Sequence, residues 1–337
     1  MPNVCIHHAI YAPGLERLRE LPNVHLTVIP PSEGDSWALP VEEAGKVEIL
    51  FSSSAPSNLD AAKNLCLLHI DSAGYSHLFE YKLHERGIRA CNAAGVFDIP
   101  IAEWNVAMMI NLLRDVRGMI RHQDSGIWDR DARFQRQLRG CTVGFWGYGG
   151  LARETARLCK AMGLKVHVFS RSPIKPRDDH FVLPGTGDPK GVLPDAEYGQ
   201  DKKGEFLSGL DFLIIAMPLT DQTRGLVGAD DLKQLPRRAF VLNPARGPII
   251  QEQALLQALR EGWIAGAALD THYYYPMPVD HPLWKFPNVI MTPHISGSTA
   301  MSEFPQRVWD IFVINVERWI AGRPLLNELT PRQLAGQ

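Results

Sequence analysis

The chain has little excess charge, few cysteines and no long apolar run. Its 35 lysines and arginines nearly balance 37 acidic residues, leaving a formal net charge of −2 at pH 7. No field of that size draws a protein to nucleic acid or to an anionic membrane. No stretch reaches the roughly 20 consecutive apolar residues that a bilayer-crossing helix needs. The N-terminal MPNVCIHHAIYAPG lacks a basic segment followed by an apolar one, so no secretory leader is expected. Cys5, Cys66, Cys91, Cys141 and Cys159 are odd in number and form no C-x-x-C pair. They lie in apolar runs, which predicts reduced core thiols in a cytoplasmic protein and no metal site.

What is present is the composition of a soluble globular protein. Of 337 residues, 45% are hydrophobic and 21% charged, enough chain for two domains of common size. Short β-branched runs alternate with amphipathic pieces. VCIH (4–7), VHLTVI (24–29), VEILF (47–51) and LCLLHI (65–70) read as buried strands. A helical pattern follows from Ile99 to about Arg121, with Asp98 as N-cap and Pro100 in its first turn. A second series of strands then runs through TVGFW (142–146), KVHVF (165–169), DFLIIAM (211–217), AFVLN (239–243), IAGAALD (264–270) and NVIMT (288–292). The alternation predicts an α/β fold of two doubly wound parallel sheets. The closing amphipathic helix (301–322) has no strand after it and is expected to pack back on the first domain. The stretch 173–205, rich in Pro, Gly and charge, reads as an excursion between two strands.

The segment TVGFWGYGGLARETARLCKAMGLKVHVFSRS (142–172) carries the clearest motif. Gly147-Tyr148-Gly149-Gly150-Leu151-Ala152 fits G-x-G-x-x-A between a strand and a helix, the context that separates a dinucleotide fingerprint from an ordinary glycine turn. The first glycine permits the tight turn and the second lets backbone approach a diphosphate. The small last residue lets helix and strand pack closely, and the helix N-terminus offers free N–H groups. At the end of the next strand an NAD site wants a carboxylate for the ribose hydroxyls. This chain has Ser170-Arg171-Ser172, with Lys175 and Arg177 following. A carboxylate would repel a 2′-phosphate, whereas a guanidinium grips one, so NADP(H) is expected in preference to NAD(H); Arg171 as a plain surface arginine is the bland alternative.

Arg246, in NPARG, and His294, in TPHISGS, both fall just past strands, on the rim where an open parallel sheet binds its ligand. Arginine there can hold a carboxylate in bidentate fashion and polarise a neighbouring carbonyl. Histidine can supply a proton to the alkoxide formed when a hydride arrives. Either residue alone more often serves structure; their joint placement beside the fingerprint points to catalysis.

Taken in order, SAGYSHLF (72–79), AEW (102–104), VGFWGYGGLA, MPLTDQTRGLV, NPARG, AGAALD, DHPLW and NVIMTPHISG closely resemble the D-2-hydroxyacid dehydrogenase family, which includes formate dehydrogenase. The resemblance covers nearly the whole chain. It implies a flavodoxin-like substrate domain (1–98 and 296–337) interrupted by a Rossmann domain (99–295), and a homodimer built on the crossover-helix region. It also implies that Ala73 and Gly74 hold the substrate carboxylate by backbone N–H groups, that Arg246 orients a 2-oxo acid and that His294 is the acid/base. Around the cofactor it implies Pro218, Thr223, Pro244, Ala245 and Gly297, with Asp270 and Ser296 near the nicotinamide carboxamide.

Against that pattern, DTHYYYPMPVDHPLW (270–284) is the main departure. Most such dehydrogenases have a Glu before the proline, which hydrogen-bonds the catalytic histidine and raises its pKa. Here that residue is Tyr275, where formate dehydrogenases carry Gln. A phenol lacks the carboxylate's charge, so His294 is expected to be less basic. Contact with His294 is expected of Tyr275, and packing of Tyr273 and Tyr274. A second departure is Gly150-Leu151, where the family often has Arg-Ile, leaving the diphosphate to backbone groups. The leading reading is an NADPH-dependent reductase of small 2-oxo acids giving the D-2-hydroxy acid. The alternatives are a formate-dehydrogenase-like oxidation without proton transfer, and a catalytically weak, cofactor-sensing interaction protein.

Overall fold

The computed structural model describes residues 1–31, 37–130 and 136–337. They divide into two compact units: 1–96 with 178–181 and 299–337, and 97–177 with 182–298. In the first, β1 (Asn3–His7), α1 (Ala12–Glu20), β2 (His25–Val28), α2 (Val41–Ala44), β3 (Ile49–Ser52), β4 (Leu67–His69) and β5 (Arg89–Cys91) build a five-stranded sheet in the order β2-β1-β3-β4-β5. All its pairings are parallel, and the order is the flavodoxin-like one.

In the second unit, α3 (Asp98–Leu113) and α4 (Val116–Asp124) precede β6 (Thr142–Trp146), α5 (Gly150–Ala161), β7 (Lys165–Phe169), β8 (Ala196–Tyr198), α6 (Lys203–Ser208), β9 (Phe212–Ile215), α7 (Ala229–Gln234), β10 (Phe240–Asn243), α8 (Glu252–Glu261), β11 (Gly266–Leu269) and β12 (Val289–Met291). The seven strands lie in the order β12-β11-β10-β9-β6-β7-β8, all parallel. This is the doubly wound Rossmann order with one further strand beyond β11. The first unit resumes with α9 (Phe304–Ile320) and α10 (Pro331–Leu334).

The strands are apolar at nearly every position because both sheet faces are covered. Successive residues of β9 show it: Phe212 and Ile214 join one core, Leu213 and Ile215 the other. In the first unit Leu50 faces one core, while Phe51 turns to α9, its ring stacked 4.3 Å from that of Phe312 and edge-on to Trp309. No helix among the described residues is long and apolar enough to cross a membrane.

Several expectations need correction. The long helix is two helices, broken where Asp115 takes φ +45° and its carboxylate accepts the Gly118 N–H at 3.3 Å, capping the second. Asp98 is not the N-cap of α3 but a residue of its first turn, with Phe97 at the cap and no side-chain cap bond. The three-residue strand β5 (RAC) is too short to stand out as a strand in the sequence. The excursion 173–205 ends in β8, which needs only a free edge of β7 and no apolar run. Cys66 is exposed, its thiol directed at the Asn64 carbonyl, while Cys5, Cys91, Cys141 and Cys159 are buried; all five are free. Burial pushes the thiols of Cys5 and Cys159 up to about 12.

Residues 178–181 are held in the first unit by Asn327, which is 3% exposed and sits in the left-handed region at φ +56°. Its backbone N–H donates to the Asp179 carbonyl (2.9 Å), its Oδ1 accepts the Phe181 N–H (3.0 Å), and its Nδ2 donates to the carbonyls of Asn92 and Ala94. Replacing Asn327 by Ala removes three side-chain bonds and strands a buried donor and buried acceptors. The expected outcome is a loss of about 1–3 kcal/mol of stability. It should come with faster hydrogen exchange at the Phe181 amide and an unchanged rate in β6 and β9. Unchanged exchange at Phe181 would show that other contacts hold the segment.

Candidate active site

Parallel strands end on one rim, so the loops after β6, β7, β9, β10, β11 and β12 share an edge of the second unit. After β6 the chain turns through Gly147 at φ +95°, where a Cβ would stand 2.7 Å from the Ala216 carbonyl oxygen. The helix α5 opens at Gly150 behind Gly149, with no side-chain cap. Its first N–H groups are thereby left for a bound anion, while Ala152 is fully buried against the strand. These features fit a dinucleotide phosphate.

Beyond β7, Ser170 Oγ donates to the Ser172 carbonyl at 2.7 Å, and Arg171 reaches Gln222 Oε1 at 3.0 Å in the loop after β9. A cleft here is lined by Tyr148, Ser170, Ser172, Lys175 and Arg177 among others. Arg171 points away toward the β9 loop rather than lining it. In that loop the Thr223 hydroxyl donates to the Pro218 carbonyl (2.7 Å) and accepts the Thr220 N–H (2.8 Å), tying both expected cofactor residues into one turn.

After β10, buried Asn243 shapes the Pro244-Ala245-Arg246 turn: its Oδ1 accepts the Ala245 N–H (3.1 Å) and its Nδ2 donates to the Arg246 carbonyl (2.9 Å). Arg246 bends back so that its guanidinium donates to the Ala245 carbonyl at 2.7 Å. Burial lowers its pKa and nearby Tyr275 opposes that.

At the end of β11 stands Asp270, fully buried. Its carboxyl takes four donors from one turn: Thr292 Oγ1 (2.6 Å), Ile295 N (2.9 Å), Ser296 N (3.0 Å) and Ser296 Oγ (2.5 Å). That turn carries His294 at φ +56°, a conformation a bulky residue keeps only when its surroundings impose it. The His294 N–H donates to the Asp270 carbonyl at 2.8 Å. Gly297 follows directly.

The three tyrosines part ways. Tyr273 packs on the core beside β11, and burial raises its pKa. Tyr274, expected to pack, is instead exposed, and its hydroxyl donates to Glu252 at 3.2 Å. Glu252 also meets His281 Nε2 at 2.7 Å. The Tyr275 hydroxyl lies 3.1 Å from His294 Nδ1 and accepts the His272 N–H at 3.2 Å. The His294 pKa is lowered, first by the atoms packed around the ring and then by the Arg246 guanidinium, with Asp270 opposing. Arg246, Tyr275 and His294 thus feel one another electrostatically on one rim.

Ala73 and Gly74 belong to the first unit, in the loop after β4. Their carbonyls accept from Asn92 Nδ2 (2.7 Å) and Ser72 Oγ (2.8 Å), which sets the course of the backbone there. Sequence reasoning did not single out Asn243, Thr292 or His272; the one available signal was a polar residue closing an apolar strand at Asn243. Among the described residues no group of three or more His, Cys, Asp or Glu side chains is placed to hold a metal ion.

Residues 106–296 match the family model of the D-isomer specific 2-hydroxyacid dehydrogenase, NAD binding domain. A glyoxylate reductase of Thermofilum pendens is 29% identical over 322 residues, 94% of this chain and 90% of that protein. A D-isomer specific 2-hydroxyacid dehydrogenase from Xanthobacter autotrophicus, solved with NADPH and MES, superposes with a TM-score of 0.78 at 25% identity, covering 99% of each chain. An NADPH-dependent glyoxylate/hydroxypyruvate reductase from Sinorhizobium meliloti, solved with citrate, gives a TM-score of 0.71 at 26% identity over 98% of each. With its fingerprint, its rim and more than half its length matching that model, the chain belongs to the D-isomer specific 2-hydroxyacid dehydrogenases, and residues 106–296 are its NAD-binding domain.

Proposed function

We propose that the chain is an NADPH-dependent reductase of small 2-oxo acids, forming the D-2-hydroxy acid. The observation that carries this is the grouping of Arg246 and His294 on the rim that also bears the uncapped start of α5. A bound nicotinamide cofactor would supply the hydride that reduces the substrate's carbonyl carbon. Arg246 pairs with the substrate carboxylate and faces the carbonyl oxygen as negative charge grows there. The imidazolium of His294 gives that oxygen its proton. Backbone N–H groups of Ala73 and Gly74 are assigned to the substrate carboxylate by the family resemblance alone. Gly147, Tyr148 and Gly149, with the N–H groups of Gly150, Leu151 and Ala152, receive the diphosphate. Pro218, Thr223, Pro244 and Ala245 border the cofactor, and Asp270, Ser296 and Gly297 shape its nicotinamide end.

Preference for NADPH is supported by the end of β7, where Ser170, Arg171 and Ser172 stand in place of a carboxylate. The glyoxylate/hydroxypyruvate reductase of S. meliloti, described as NADPH-dependent, agrees with it. A homodimer built on α3 and α4 is part of the same reading, supported by Ile110, Met119, Ile120, Ile127 and Trp128, which are exposed on and just after these helices. Free thiols support a cytoplasmic setting. The phenol on His294 Nδ1, where a carboxylate would raise basicity, supports a second reading: oxidation of formate, which asks no proton of histidine.

Tyr275 has a defined part in the leading reading. Its oxygen accepts the His272 N–H and lies 3.1 Å from His294 Nδ1, where the phenol bonds the imidazole as donor or acceptor according to the histidine tautomer. In either tautomer the neutral phenol offers an imidazolium none of the negative charge that a carboxylate would supply. Burial and the Arg246 guanidinium are thus left to lower the His294 pKa, with Asp270 opposing.

The first test follows NADPH and NADH oxidation with glyoxylate, hydroxypyruvate, pyruvate and phenylpyruvate. Turnover is expected with NADPH above NADH, falling by about a hundredfold or more in His294→Ala. No turnover with either cofactor sinks the reductase, and formate oxidation would then support the second reading. A pH profile is the next measurement. Because the protonated His294 is the acid and its pKa is lowered, the reduction rate should fall as pH rises through a value below about 6.5. In Tyr275→Glu the carboxylate favours the imidazolium, and the break should move up by about one unit. A wild-type break above 7.5, or one that Tyr275→Glu leaves in place, counts against this role.

A further inference from the structure

The fingerprint lacks the arginine that its relatives often carry after the second glycine, and the structure supplies a reason. A Cβ placed at Gly150 would stand 2.1 Å from Asp98 Oδ2 and 2.8 Å from its Cγ. A side chain there would have to displace the Asp98 carboxyl, which comes from the first turn of α3. So the residue that looked like a helix cap fills the position where a fingerprint arginine would begin. Burial pushes that carboxyl up to about 7, with Glu154 adding to the shift and the Arg177 guanidinium opposing it. A cation from elsewhere in the chain therefore lies close to this spot.

That cation belongs to the excursion after β7. One terminal nitrogen of Arg177 lies 4.0 Å from a Cβ built at Gly149, the glycine whose backbone approaches a diphosphate. Arg177 also lines the cleft with Tyr148, Ser170 and Ser172. Its own N–H donates to the Pro189 carbonyl at 2.9 Å. The surrounding loop is fastened to the fingerprint by buried polar groups. Arg153, on α5 and 5% exposed, donates to the carbonyls of Lys175 (2.7 Å), Asp188 and Tyr148 (3.3 Å). Asp188, 4% exposed, accepts from the Tyr148 hydroxyl (2.8 Å) and from the N–H groups of Val192 (2.9 Å) and Leu193 (3.0 Å). Glu154 accepts the Gly187 N–H at 2.5 Å. A passive surface loop has no need of two buried charged side chains. This one is built onto the first turns of α5.

We propose that Arg177 is a cofactor-phosphate ligand of this chain, supplying to the diphosphate the guanidinium that a glycine at position 150 does not. The proposal rests on the reading of 142–172 as a nicotinamide-dinucleotide site. Arg153 acts through the loop and is a positioning residue. The contribution of Arg177 is separate from selection between NADPH and NADH, which belongs to the groups around the 2′-position, because every nicotinamide dinucleotide carries the diphosphate.

The experiment titrates the full chain with NADPH, NADH and ADP-ribose, following binding by calorimetry, for wild type, Arg177→Met, Arg177→Lys and Arg153→Met. Arg177→Met should weaken all three ligands by a common factor of about ten- to a hundredfold, as expected for losing a hydrogen bond to a charged group. Arg177→Lys should recover part of that, since it keeps the charge without the fork. Arg153→Met should show a similar common loss, with faster hydrogen exchange across 175–193. A loss confined to NADPH would place Arg177 on the 2′-phosphate and overturn the diphosphate assignment. Unchanged binding in Arg177→Met, with an unchanged melting temperature, would overturn the proposal while leaving the dinucleotide site standing. Failure of wild type to bind any of the three would instead remove the reading beneath it.

Discussion

The candidate site depends on one buried carboxyl. Asp270 ends β11 with no exposed surface, and a polar group in that position is tolerated only if its oxygens are met by donors. The chain meets them with the turn after β12, four donors from Thr292, Ile295 and Ser296. Satisfying Asp270 forces the 292–296 segment into a tight curl, and the curl puts His294 in the left-handed region with its ring on the rim. The strain at His294 is offset by hydrogen bonds that do not involve His294's own side chain. The imidazole therefore remains available to Tyr275 and to a ligand.

Around that turn the site uses a phenol in place of a carboxylate. A carboxylate on Nδ1 would pull proton affinity upward through charge; the Tyr275 hydroxyl, 3.1 Å from that nitrogen, offers only a neutral dipole. Arg246 adds positive potential on the same rim. Burial of the ring and the Arg246 guanidinium both favour neutral imidazole. The neighbouring tyrosines do other work. Tyr273 fills the core beside β11, and Tyr274 joins Glu252 and His281 at the surface.

The cofactor side shows how a polar stretch earns order without an apolar core of its own. The excursion after β7 is secured by Arg153, Asp188 and Glu154, each buried and each multiply bonded, and its far end adds β8 to the sheet. Residues 178–181 within it are fixed in the first unit by Asn327. Such a segment gains its structure from hydrogen bonds to partners distant in sequence, which a composition rich in Pro, Gly and charge leaves invisible.

What the sequence by itself determined follows from local periodicity. Runs apolar at every position mark strands covered on both faces, and their alternation with amphipathic pieces requires two doubly wound parallel sheets. A glycine fingerprint between strand and helix is likewise local, as is the placement of Arg246 and His294 just past strand ends. Contact between Tyr275 and His294 was legible too, through resemblance in the order of motifs. Tertiary structure alone decided the rest, because each remaining feature needs a partner far along the chain. Asp98 looked like a helix cap until Gly150 was brought against it. Tyr274 and Cys66 looked buried, being apolar in type or setting, until their side chains faced outward. Asp115 broke a helix that periodicity alone would have continued, and Arg177 came to lie beside Gly149 only because buried Arg153 and Asp188 folded a polar loop back onto α5.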